Sequence, residues 1–88
     1  MVDAVLPVSD LLSIVSLERI DPERNAFRYY VLSIEPTLFE EPSLVREWGR
    51  VARRGRRIVE LCPDAAAAKV RLETWLSRKR RRGYGARP

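Results

Sequence analysis

Apolar and polar positions alternate through most of the first two thirds of this chain, and a helical period takes over in the last third. Over 14–20, Ile14, Ser16, Glu18 and Ile20 fall on one side and Val15, Leu17 and Arg19 on the other, as in a strand. Asp21-Pro22-Glu23-Arg24-Asn25 then reads as a turn, with proline near its start and Asn25 tolerant of positive φ, so a hairpin follows. Residues 27–34 (FRYYVLSI) are dense in aromatic and β-branched side chains and read as a central strand. Pro36 is expected to end it, leaving 35–43 as a loop. Leu38 and Phe39 are expected to fold back from that loop onto the sheet, because large apolar side chains left in solvent forgo burial. Residues 44–52 and 56–61 form a second hairpin around Arg53-Arg54-Gly55, with Gly55 free to supply positive φ.

After Cys62-Pro63 the period changes. Asp64 is a fitting N-cap, the alanine run 65–68 is a strong helix former, and Ala68, Leu72, Trp75 and Leu76 recur at helical spacing toward the sheet. The helix is expected to fray near 78–82. The fold class is α+β: a small twisted antiparallel sheet of four to five strands with one C-terminal helix packed on it. Residues 1–13 read as an arm, 14–84 as the domain and 85–88 as a tail.

Composition narrows the chemistry. Eighty-eight residues support one domain with a modest core. With no histidine and a single cysteine, Cys62, the chain has little with which to build a zinc site and no imidazole base for a nucleophile, so neither a cofactor nor catalysis is expected. The first residues are interrupted by Asp3, Pro7 and Asp10, which makes a poor leader and no membrane span, so an intracellular, cytoplasmic location is expected.

Charge is distributed unevenly. Residues 1–45 carry three basic groups against eight acids, a balance of −5, whereas 46–88 carry fourteen against four, a balance of +10. A half this basic predicts affinity for a polyanion. Two stretches concentrate it: Arg46, Arg50, Arg53, Arg54, Arg56 and Arg57 around the second hairpin, and Arg78-Lys79-Arg80-Arg81-Arg82 at the helix end. By alternation Arg46, Trp48 and Arg50 share one sheet face. An indole beside guanidinium groups can stack on a base or sugar while the arginines grip phosphate; the other reading makes Trp48 core. Gly49 either bulges the strand or admits a close backbone approach, such as a phosphate against main-chain N–H groups. Tyr84, between two glycines, is either a docking plug or a stacking group.

Trp48-Gly49-Arg50 sits in a wider pattern: an aromatic strand (Arg28-Tyr29-Tyr30-Val31-Leu32), Val45-Arg46-Glu47 leading into the tripeptide, a basic turn containing glycine, Pro63-Asp64, an alanine-rich helix and Lys79-Arg80-Arg81-Arg82-Gly83-Tyr84. Over 14–84 this resembles the WGR domain, found in DNA-dependent poly(ADP-ribose) polymerases and as short bacterial proteins. The resemblance implies a non-catalytic nucleic-acid-binding module acting in DNA repair, on DNA rather than RNA and at ends or breaks. It places Trp48 as the stacking group and Arg50 as a phosphate or partner contact. A nucleoid-associated location and a separately encoded DNA-processing partner go with it. The alternative is a protein-interaction module that binds an acidic partner through Trp48 and Arg50. Two departures stand out: Ala52 occupies a position where the family often has glycine, and the asparagine that contacts DNA in some members would fall near Phe27 rather than at Asn25.

Overall fold

The computed structural model describes residues 14–87, so the arm expected over 1–13 lies outside the described residues. Five strands form one antiparallel sheet in the order β4-β3-β2-β1-β5. They are β1 (Ile14–Asp21), β2 (Ala26–Pro36), β3 (Pro42–Arg50), β4 (Arg56–Leu61) and β5 (Gly85–Ala86), with helix α1 (Ala65–Arg81) packed on one face. The aromatic, β-branched β2 is central, as its composition predicts. A single 3-10 turn, Pro22–Arg24, joins it to β1, and Asn25 closes that turn at φ 54°.

Register decides what meets the helix. Leu17, Tyr30 and Trp48 stand across from one another, as do Val15, Leu32 and Arg46 two rungs along on the same face. Leu17, Tyr30, Leu32, Ile34, Leu44 and Cys62 bury against Ala68 and Leu72, with Trp75 and Leu76 packed at the margin. These are the helical positions expected from spacing. Asp64 caps α1, its Oδ1 accepting from Ala67 N at 2.8 Å. Arg71 fastens the helix flank to β4 through two hydrogen bonds to Glu60, of 2.9 and 3.2 Å.

The structure departs from the sequence reading in three places. The loop expected over 35–43 shrinks to a tip, because β2 and β3 pair as far as Pro36 and Pro42. Those prolines occupy the last rung, an end position where a missing N–H is tolerated. Leu38 and Phe39 do not return to the sheet; they are 89% and 80% exposed. The tip closes on itself instead, with Thr37 N donating to Glu41 O (2.8 Å) and Glu40 N to Thr37 O (2.9 Å). The helix runs to Arg81, within the 78–82 stretch where its end is expected, and the cations of its last turn complement its dipole. Finally, Gly85 and Ala86, read as the start of a tail, pair with Glu18 and Leu17 and cover part of the β1 edge.

The β3–β4 turn also differs in its mechanics. Positive φ falls on Ala52 (67°), not on Gly55. Gly55 is required for space: a Cβ there would stand 2.0 Å from Trp48 O and 2.2 Å from Tyr29 Oη. Gly49 faces it, a Cβ on Gly49 falling 2.8 Å from Gly55 Cα. The two glycines therefore let the turn lie flat over Tyr29. Gly55→Ala is expected to cost about 3 kcal/mol, at the severe end of overpacking. Ala52→Gly is expected to gain about 0.5–1 kcal/mol by relieving left-handed strain. Thermal unfolding of both variants checks this; a Gly55→Ala midpoint equal to that of the parent would contradict it.

Candidate nucleic-acid interface

Tyr30 is the hub of the site. On the central strand, and only 2% exposed, it stacks on Trp48 (centroids 5.6 Å apart, planes 17°) and on Trp75 (6.4 Å, 24°). Tyr84 meets it edge-on at 6.2 Å. Arg46 lies among the rings, its guanidinium carbon 4.0 Å from the Trp75 centroid and 5.4 Å from that of Trp48, while Nη1 donates to Tyr30 Oη at 3.1 Å. Trp48 is thus half-buried. One part is locked on Tyr30 and the rest walls a cleft, so neither sequence alternative describes it fully.

The end of α1 supplies the opposite wall. Gly83, at φ 93°, ends the helix with Gly83 N donating to Arg80 O (3.0 Å) and Tyr84 N to Lys79 O (3.1 Å), the paired bonds of a Schellman motif. That reversal carries Tyr84 back onto Tyr30. The resulting cleft, of about 360 Å³, is lined by Arg19, Arg28, Trp48, Lys79, Arg82 and Tyr84. Among the described residues no carboxylate lines it.

Its electrostatics are unfavourable without an anion. Arg19 stands directly across from Arg28, and Arg28 across from Arg50; like charges in that position repel. Burial holds the Lys79 amine below the ordinary lysine range, and Arg82 and Arg46 push it further the same way. The amine lies 4.4 Å from the Tyr30 ring centre and 5.6 Å from that of Tyr84. Arg24, Arg57, Arg71 and Arg87 pair with carboxylates. Among the described residues, Arg19, Arg28, Lys79 and Arg82 do not.

The other expected contacts scatter. Arg50 shares the strand with Trp48, but its guanidinium turns to the β1–β2 turn, donating to Asn25 Oδ1 (3.1 Å) and Asn25 O (3.3 Å). The close approach at Gly49 is to Gly55. Arg53 and Arg54 are exposed on the β3–β4 turn, and Arg56 is exposed across from Trp48. Arg57 pairs with Glu35. Arg78 covers Trp75 at 5.0 Å, and Arg80 and Arg81 face solvent. From the C-terminal run, therefore, Lys79, Arg82 and Tyr84 enter the cleft.

Comparison with known proteins settles the family, since the WGR domain model matches residues 14–88. The chain belongs to the WGR domain family. WGR domains are in general nucleic-acid-binding modules. The chain is 40% identical to an uncharacterized protein, y4dW, of Sinorhizobium fredii (strain NBRC 101917 / NGR234), over 98% of this chain and 45% of that protein. It therefore spans less than half the length of the curated relative it matches. No solved structure matches it at a significant level.

Two cleft residues of this WGR domain, Arg19 and Arg28, went unread in the sequence because each is a lone arginine in the acidic half. Parity could have found them: each lies two residues from a core position, Leu17 or Tyr30, and so on the same face. Among the described residues no cluster of His, Cys, Asp or Glu could hold a metal ion, and no helix is long and apolar enough to cross a membrane.

The depressed Lys79 amine has a consequence with a definite sign. The folded protein gives up this proton below the unfolded value, about 10.4, so the charged form costs stability at neutral pH. That cost is lifted as pH rises through the folded value toward the unfolded one. Relative to Lys79→Met, the parent should therefore gain stability across that alkaline window. Denaturant midpoints measured against pH for the two proteins check this, and parallel curves would contradict it.

Proposed function

We propose that this WGR domain is a non-catalytic DNA-binding module that receives a strand terminus or unstacked segment in the cleft between Trp48 and Tyr84. The observation that carries the reading is the gathering of Arg19, Arg28, Lys79 and Arg82 around two aromatic walls, with no carboxylate lining the cleft among the described residues. Phosphates would relieve the mutual repulsion of these cations, and guanidinium forks suit phosphate oxygens. The stacking groups bear on the choice of target. Bases inside an intact duplex already stack on both faces, so an indole fixed in a cleft wall can engage only a sugar or base free at an end, a nick or a single strand. The resemblance to the break-sensing members supports a preference for DNA over RNA. The exposed Arg53, Arg54 and Arg56, with Arg80 and Arg81, would add longer-range attraction.

Binding isotherms on blunt duplex, nicked duplex, single strand and RNA at several salt concentrations test the reading, with Trp48 fluorescence followed in a Trp75→Phe background. Neutralising four phosphates should give a log K against log salt slope of about −3.6 on duplex DNA. Trp48→Ala should weaken end binding about tenfold or more, the stacking contribution of one base, and plain-duplex binding much less. A flat salt response, or equal loss on every substrate, would overturn it.

A further inference from the structure

The β2–β3 tip collects unfavourable choices. Leu38 and Phe39 forgo the burial that side chains of their size normally find. Glu40 holds φ 65°, a left-handed conformation that glycine or asparagine would adopt with less strain. Glu40 and Glu41 are exposed, and among the described residues neither pairs with a cation. An acidic, aromatic point standing free of the fold suits insertion into something basic and aromatic.

Such a receptor exists on the same chain, out of its own tip's reach. Arg28 lies near the start of β2 and Pro36 at its end, a separation of roughly 26 Å at the rise of an extended strand. We propose that the tip of one molecule docks into the cationic cleft of a second copy, setting Leu38 and Phe39 against Trp48 and Tyr84 and the carboxylates of Glu40 and Glu41 against Arg19, Arg28 and Arg82. This rests on the reading of the cleft as an anion-binding, nucleic-acid site. Two copies can exchange tips reciprocally about a two-fold axis, or successive copies can hand the contact on as a chain or ring. Each contact masks one cleft, and nucleic acid competes for it. Self-association is thereby a control on binding, strongest when nucleic acid is scarce and weakened by salt.

Sedimentation velocity of the full chain without nucleic acid, from micromolar to millimolar concentration, tests this. The mean mass should rise with concentration, fall with added salt and return to monomer on adding a short oligonucleotide. E40K/E41K and R28E/R82E should each shift association to at least about tenfold higher concentration, through like-charge opposition. Mixing these two variants should restore association, because the reversed tip then meets the reversed cleft. A monomer at every concentration, or association unaffected by both reversals, or a mixture that stays monomeric would each overturn the proposal. Oligonucleotide affinity at dilute protein separates the underlying reading. E40K/E41K should keep it within about twofold, since the tip lies well beyond a Debye length from the cleft, whereas R28E/R82E should lose it. Normal nucleic-acid binding by R28E/R82E would sink the cleft reading itself, independently of the sedimentation result.

Discussion

The stacking of Trp48 on Tyr30 is the contact through which the core and the cationic cleft become one object. Tyr30 belongs to the sheet interior with Leu17, Leu32 and Leu44, yet its ring also carries Trp48, Trp75 and Tyr84. Few hydrogen bonds support this cluster: Arg46 Nε and Trp75 Nε1 are buried without partners, each a cost of about 1–3 kcal/mol. Ring stacking, dispersion and the attraction of guanidinium for the indole faces must offset that cost. The result is an indole fixed before any ligand arrives. A preorganised wall spares the ordering cost that a mobile tryptophan would carry into binding.

Around this wall the chain concentrates charge it could have dispersed. Arg19 and Arg28 oppose each other across the first hairpin, while the Schellman turn at Gly83 brings Arg82 and Tyr84 back toward the sheet. Favourable interaction with the helix dipole offsets part of the repulsion at Lys79 and its neighbours. The remainder persists as a positive field that an anion lowers. Arg50 takes a different part: by gripping Asn25 it ties the end of β3 to the β1–β2 turn, which fixes the strand end beside Trp48. Within the tripeptide, tryptophan walls the cleft, glycine gives the spacing and arginine is the clamp.

Much of this was legible in the residues, and the failures have particular causes. Period-two alternation located the four main strands, and Asp64 with the spacing of Ala68, Leu72, Trp75 and Leu76 located the helix and its buried face. Side-chain direction at strand ends was not legible. Alternation puts Arg50 on the face of Trp48, but a long side chain at the last rung can reach a neighbouring turn. Glycine was misread in the β3–β4 turn because Gly55 serves a steric need, set by Trp48 O and Tyr29 Oη, that only the folded register creates. Pro36 suggested the end of the strand, whereas at the final rung it is compatible with pairing to Pro42. Arg19 and Arg28 escaped because a net-charge tally by halves conceals two cations that a hairpin brings together.

The central claim is that the exposed part of Trp48, held by Tyr30, forms the contact surface, while Trp75 is interior support. Two-dimensional NMR of the indole N–H groups during titration with a short blunt duplex reads both rings at once. The Trp48 resonance should shift progressively with added DNA, together with the backbone amides of Arg19, Arg28 and Arg82, while the Trp75 resonance moves little. A Trp48 signal unchanged at saturation, with shifts confined to the β2–β3 tip or the β4 edge, would contradict the account.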